Sequence, residues 1–449
     1  MAKTPTNIVV KFTDARLTHY GGAYLLHQFF QYLKLRHAIS TSIHLSQRNT
    51  VYYTSEFIIT LVYPIIFGLE RIETTQLLKY NGLFRFLTGL STHPNATTLR
   101  RFLNRLGHDG LSRFILLHDG YRQRLLNQPQ TSSKFYFDCD TTVLTVYGQQ
   151  EQTRKGYNPK KRGRRSYQPL LCFEGQTGDC WAGELYSGDT HPASVIIPML
   201  ERVQNKLPKT VRRKFFRGDK AFFDKKVVNF LEFYRFRYAI VARLTKPIKH
   251  HLPGLKYRRI SSELAVSAFH YQPYGWKKRR QFVVIRRRIA DKPDQQLALL
   301  KVGKYIYQVI VTNLKLKPVN VWRFYNRRAT AELIIRELKE GYATGKIPTK
   351  YFGANSAFFQ ITLLAYNLLT WFKRLCLPES YRRMTIDSLR HRLLVIPAEL
   401  VYPKGTPTLK LSESYPDKEA FLQTLKNIKN LKKQNRQQKS GTKQLHRVQ

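Results

Sequence analysis

Three groups of side chains carry residue types and spacings that chemistry can use. The first lies in Phe324–Tyr342, FYNRRATAELIIRELKEGY, where Tyr325, Arg328, Glu332 and Lys339 are separated by three, four and seven positions. On a helix advancing about 100° per residue they fall close to one stripe. Between them Ala331, Leu333, Ile334, Ile335 and Leu338 offer an apolar side to a core. The second group is Asp138 and Asp140 in KFYFDCDTTVLTVY, which project to one side of a strand while Phe137 and Cys139 face the other. The third is Asp219, which closes the short strand KFFRGD at Lys214–Asp219. Carboxylates brought together in this way can hold two divalent ions about 4 Å apart, activating a water or a DNA 3′-hydroxyl and stabilising the leaving oxygen in phosphoryl transfer. Oxygen ligation favours magnesium or manganese over zinc. Each group also has a plainer reading: a solvated helix face with Arg–Glu and Glu–Lys pairs, a strand with a solvent face, and a helix cap at Asp219.

Charge names the partner. Against 77 Lys plus Arg stand 29 Asp plus Glu, a formal charge of +48. Such an excess repels itself in a compact state unless a polyanion neutralises it, so nucleic acid leads. An anionic membrane fits less well, because the cations are spread over many segments. The most apolar run, Phe57–Phe67, contains Pro64 and is too short to span a bilayer. The densest basic run is Arg154–Ser166, a turn carrying Arg154, Lys155, Lys160, Lys161, Arg162, Arg164 and Arg165 and suited to a phosphate backbone. Lys277, Lys278, Arg279 and Arg280 form a second run. Arg100 and Arg101 sit on a short helix whose buried side is Leu99, Phe102 and Leu106. That helix reads either as part of a helix-turn-helix unit set against DNA or as ordinary helical packing. Cys139, Cys172, Cys180 and Cys376 form no CxxC pair and read as reduced core residues of a cytosolic protein, and no signal peptide is visible.

The elements that must position these groups read as an α/β chain. Residues 1–131 have helical spacing and form the expected DNA-binding region. Residues 132–244 alternate strand and helix, with a hairpin around GQTGD at Gly175–Asp179, the grammar of a domain whose chemistry gathers at strand ends. Residues 245–318 break that rhythm as a β-rich insertion, with Tyr305–Thr312 a clear strand. Residues 319–380 resume the core with the Tyr–Arg–Glu–Lys helix and the apolar helix Ala357–Phe372. Residues 381–449 form a C-terminal region whose Lys- and Gln-rich tail, from about Lys432, is expected to be disordered without a partner.

The Phe324–Tyr342 stretch matches the pattern Y-x2-R-x3-E-x6-K. With YFDCDTTV, GYNPKKRGRRSYQPLL and RGDKAFF in this order, the chain resembles the DDE transposases of bacterial insertion sequences, most closely from Asp138 to Leu368. The resemblance implies a ribonuclease-H-like mixed-sheet catalytic core with a β-rich insertion between the second and third acids, preceded by a helical N-terminal DNA-binding region. It implies Asp140, directly before Thr141–Thr142, with Asp219 and Glu332, as catalytic acids and ligands of two Mg2+ ions, Mn2+ substituting. Asp138 would be an assisting ligand or a residue that shapes the site. Tyr325, Arg328 and Lys339 would contact DNA phosphates near the cleaved end. Relatives commonly place a small residue and then glycine after the second acid, where this chain has Lys220 and Ala221. The implied activity is cut-and-paste transposition: cleavage at the element ends and strand transfer into a target, with or without a hairpin intermediate. The implied partners are double-stranded DNA with terminal inverted repeats, target DNA and a second copy of the chain, at the nucleoid of a bacterial cytoplasm and away from membranes. Two other readings stay open: a metal-dependent DNA nuclease on the same core, and a catalytically inactive DNA-binding derivative.

Overall fold

The computed structural model describes residues 12, 16–46, 51–91, 93–126, 133–288, 301–302 and 304–445. The expected boundary at 131–132, part of the insertion (289–300) and the last four residues lie outside that set. The chain divides into two compact units: one of residues up to 41, 46–99 and 371 onward, the other of 42–45 and 100–370. Segments from both ends of the sequence therefore share the first unit.

That first unit is mainly helical. Thr54–Phe67 is buried along nearly its whole length, so the apolar run is a core helix. Lys418–Leu445 is also a helix. Ala420, Phe421, Thr424 and Ile428 are buried at helical spacing. Lys432 Nζ donates to Gln28 Oε1 (2.7 Å) on the helix Ala23–Tyr32. A short apolar stripe thus anchors the first part of this helix, ahead of the Lys- and Gln-rich tail.

The second unit is built on a ten-stranded mixed sheet. Its strands are β1 (Lys134–Thr141), β2 (Leu170–Glu174), β3 (Cys180–Glu184), β4 (Arg213–Gly218), β5 (Phe236–Val241), β6 (Arg258–Arg259), β7 (Leu264–Tyr271), β8 (Arg280–Arg288), β9 (Lys301–Val302) and β10 (Tyr305–Thr312). They lie in the order β3-β2-β1-β4-β5-β10-β8-β7-β6, with β9 beside β10. β1 and β2 are antiparallel, as are β2 and β3, while β1, β4 and β5 run parallel. A hairpin pair followed by two parallel crossovers in this order is the ribonuclease-H-like core. The β-rich insertion continues the same sheet, because β10 pairs antiparallel with β5.

Alternation along the strands creates two faces. Phe135, Phe137, Cys139, Phe216, Tyr238 and Ile240 pack with residues of helices α1 (Pro192–Asn205) and α2 (Lys225–Phe233). On the other face, Phe215, Ala239, Val283 and Ile310 meet Val321 and Tyr325 of α3 (Pro318–Asn326). Asp138 and Asp140 are on this second side, in phase with Tyr136, which packs against the same cluster. α4 (Ala329–Gly341) and α5 (Phe352–Cys376) complete the fold's positioning elements. The Phe324–Tyr342 stretch is therefore two helices rather than one. Arg327–Arg328 form a turn in which Arg328 N–H donates to Tyr325 O and Ala331 N–H to Arg328 O, both at 2.9 Å. On α4, Ala331, Ile334, Ile335 and Leu338 are buried as expected, whereas Leu333 is exposed.

Candidate active site

Strand register brings the first two acids together. Asp138 lies beside Arg217 and Cys139 beside Gly218 on the parallel pair β1–β4. One step further, at the ends of strands spaced about 4.8 Å apart, come Asp140 and Asp219. Asp219 Oδ1 accepts a hydrogen bond from Ala221 N–H (2.9 Å) and caps the turn Lys220–Phe222, so it is both a cap and a strand-end acid. Ala221 thereby supplies the bond that fixes Asp219, and Lys220 is exposed.

The third acid arrives on α4 with a counter-cation. Arg328 Nη2 lies 2.7 Å from Asp140 Oδ2, and its Nη1 lies 2.6 Å from Glu332 Oε1. One guanidinium therefore spans the first and third acids. Burial raises the Asp140 carboxyl to about 6; Arg328 pulls it down, while Asp219 and Glu332 push it further up. Burial likewise pushes the Tyr325 hydroxyl up to about 12, with Asp219, Asp140 and Glu332 adding to the rise and Arg328 opposing it. Burial alone would lower Arg328, but Asp140, Tyr325, Asp219 and Glu332 hold it above its ordinary value. The three acids, the tyrosine and the arginine thus form one electrostatic group.

Lys339 ends the set. Its Nζ donates to Thr142 Oγ1 (3.2 Å) and to Val143 O (3.1 Å), just past Asp140. Burial, followed by the charge of Lys160, holds this amine below its ordinary value. That coupling puts the basic run near the end of α4. The run is a small three-stranded sheet of Leu144–Thr145, Arg154–Lys155 and Arg165–Tyr167. Arg154, Lys155, Lys160, Lys161, Arg162, Arg164 and Arg165 are all exposed on it. At Gly156 the backbone approaches the Gly188 carbonyl so closely that any Cβ would overlap it.

Two of the sequence-derived candidates sit in arginine–carboxylate pairs. Asp138 is bound in both oxygens by Arg217, whose Nε and Nη2 donate at 2.5 and 2.7 Å. Arg217 also donates to Phe324 O (3.0 Å) and stacks over Tyr136 and Phe324. Arg217 thus fixes the orientation of Asp138, which suits the site-shaping one of its two expected roles. Burial leaves its carboxyl above the ordinary range, although Arg217 and Arg328 pull it down. Arg280 is the second: it is buried, paired with Glu232 at 2.8 and 3.0 Å, and stacked on Trp276. Lys277, Lys278, Arg279 and Arg101 are exposed, and Arg100 Nε donates to Pro348 O (3.1 Å). Arg217 escaped the sequence reading, although its place two residues before Asp219 on β4 sets it in phase with that acid.

A family model, transposase DDE domain group 1, matches residues 2–433. The chain belongs to this family. A solved structure of piggyBac transposase in a synaptic complex with hairpin DNA is similar to this DDE-domain chain at 12% identity and a TM-score of 0.48, covering 83% of this chain and 79% of that one. No curated protein matches the chain. No helix among the described residues is long and apolar enough to cross a membrane.

The family implies a metal, and the donor chemistry can be tested for it. Among the described residues, no three His, Cys, Asp or Glu side chains are grouped closely enough to hold an ion as they stand. The donors nevertheless suit a hard cation: they are carboxylate oxygens, and the acidic neighbours of Asp140 resist its ionisation. Arg328 stands between Asp140 and Glu332 as their counter-cation, with a buried Nε that has no hydrogen-bond partner.

Proposed function

We propose that this member of the DDE transposase family is an active DNA transposase, cleaving the ends of an insertion sequence and joining them to target DNA by metal-dependent cut-and-paste. The observation that carries the reading is the single guanidinium shared by Asp140 and Glu332, with Asp219 on the adjoining strand end. Asp140, Asp219 and Glu332 would hold two Mg2+ ions, or Mn2+ in their place, and the bound ions would activate water or a 3′-hydroxyl and stabilise the leaving oxygen.

The chain's own residues do the rest. Arg328 neutralises the acids in the DNA-free state, and a DNA phosphate offers it the same bidentate geometry as a carboxylate. Tyr325, held protonated through neutral pH, is a hydrogen-bond donor to a phosphate oxygen. Lys339 and the exposed cations of Arg154–Arg165 bind backbone phosphates on the same side. The DNA is a duplex ending in terminal inverted repeats, a second copy of the chain holds the other end, and the reaction takes place on the bacterial nucleoid.

The test is incubation of the chain with labelled end DNA plus Mg2+, Mn2+ or chelator, scoring nicks, hairpins and strand-transfer products. Asp140→Ala, Asp219→Ala and Glu332→Ala are each expected to abolish products while DNA binding persists. Nicks without joining would replace the transposase reading with a nuclease. Binding without products under any metal would overturn catalysis.

A further inference from the structure

The end of the sheet away from the acids holds a cavity. Asp140 and Asp219 lie at the C-terminal ends of β1 and β4. Lys134 and Arg213 begin the same strands, about 20 Å back along β1 at roughly 3.3 Å per residue. A cavity of about 650 Å³ opens there, ringed by Lys134, Arg213, Arg235, Arg237, Lys278 and Lys315. All six side chains are exposed. The acid on its wall, Glu232, is already neutralised by Arg280 and accepts from the Tyr238 hydroxyl (2.9 Å). A net field of cations therefore faces the opening.

The wall below the cations is aromatic. Tyr136, Phe215 and Phe324 line the cavity, with Tyr136 and Phe215 stacked at 4.6 Å and 9°. Arg217 lies over both rings and Phe215 stacks on Tyr136, yet Tyr136 and Phe324 keep part of their surface open. Cations around an aromatic wall are the combination that binds an unpaired nucleotide, phosphate outside and base against the rings. Arg235 has φ 58° directly after the C-cap of α2, the left-handed position at which helices commonly end.

We propose that this cavity binds an unpaired nucleotide of a nucleic-acid strand, with the phosphate on Arg213, Arg235, Arg237 and Lys315 and the base against Tyr136 and Phe324. The site is separate from the acidic centre and goes beyond the transposase reading. It would hold a stretch of strand other than the one being cut.

The experiment measures binding of a fluorescent single-stranded oligonucleotide to the full chain by anisotropy, in chelator, across a salt series. Chelator silences the acidic centre, so failure of end cleavage leaves this result untouched. Arg213→Gln/Arg235→Gly/Arg237→Gln is expected to weaken binding at least tenfold and to flatten the log–log salt slope by about 2, roughly 0.7 per lost contact. Arg235→Gly alone should weaken binding while raising thermal stability, a pairing that a purely structural arginine would not give. A 5-iodouracil strand of DNA or RNA should photocrosslink to the peptides holding Tyr136 or Phe324, and blunt duplex should compete poorly. An unchanged slope in the triple variant, with crosslinks only elsewhere, would overturn the proposal. Duplex competing as well as single strand would do the same.

Discussion

Asp138 and Asp140, two residues apart on one face of one strand, are expected to respond oppositely to the same isosteric change. The Asp138 and Arg217 side chains are 1% and 2% exposed and joined by two hydrogen bonds. Asp138→Asn keeps the shape but strands the guanidinium as a buried, unpaired charge, at a cost of up to about 3–5 kcal/mol, less what is regained by no longer ionising a carboxyl that burial holds above its ordinary range. Asp138→Leu with Arg217→Met should recover most of that loss, because no charge then stays buried. For Asp140, the folded carboxyl has risen from 3.8 to about 6. At about 1.4 kcal/mol per pH unit, its ionised form weakens the fold by roughly 3 kcal/mol. The sign is that of a raised acid: the folded state keeps its proton to higher pH. The penalty is absent below about pH 4, grows between 4 and 6, and is complete above 6. Asp140→Asn should therefore stabilise the chain at pH 8, by up to about 3 kcal/mol, and do little at pH 4. The assay is urea unfolding followed by circular dichroism, without DNA and with chelator, at both pH values. Asp138→Asn within about 0.5 kcal/mol of the parent, the range of an ordinary surface change, would refute the structural role. So would an Asp140→Asn loss at pH 8 matching that of Asp138→Asn.

Removing the guanidinium should open the acids to a free ion: Arg328→Ala is expected to bind Mn2+ more tightly than the parent by calorimetry without DNA, and weaker binding would contradict its counter-cation role. Gly156→Ala forces a Cβ into the Gly188 carbonyl, so DNA affinity should fall as the basic sheet shifts. Its urea midpoint should follow the parent's, since the ten-stranded sheet is untouched. Lys160→Gln/Lys161→Gln/Arg162→Gln should flatten the salt dependence of duplex binding by up to about 3, near 0.9 per phosphate contact.

What the sequence disclosed follows from the range of the interaction involved. Alternation in KFYFDCDT sets the two faces of β1, and the short strand ahead of Asp219 puts that acid at a strand end; both signals are local. The Tyr–Arg–Glu–Lys spacing survived even though its helix is broken, because the turn at Arg327–Arg328 keeps helical angles at Arg328 (φ −62°, ψ −22°). The break itself is unmarked, as neither proline nor glycine stands there. Asp138 was ambiguous because an acid in an apolar strand looks the same whether it meets a metal or an arginine 79 positions away. The pairing of Arg280 was hidden for the same reason: its partner Glu232 lies 48 positions back. The attachment of the insertion to the core sheet rests on pairing between β5 and β10, which composition does not encode.

The central claim is that Asp140, Asp219 and Glu332 share bound metal when DNA occupies the site. Fe2+ binds oxygen and nitrogen sites at least as well as Mn2+, and with ascorbate and peroxide it cuts the backbone beside it. With end DNA present, cuts are expected at three places far apart in sequence, around Asp140, Asp219 and Glu332, and should disappear with excess Mg2+. Cuts at one of these segments alone, or at none, would contradict the account.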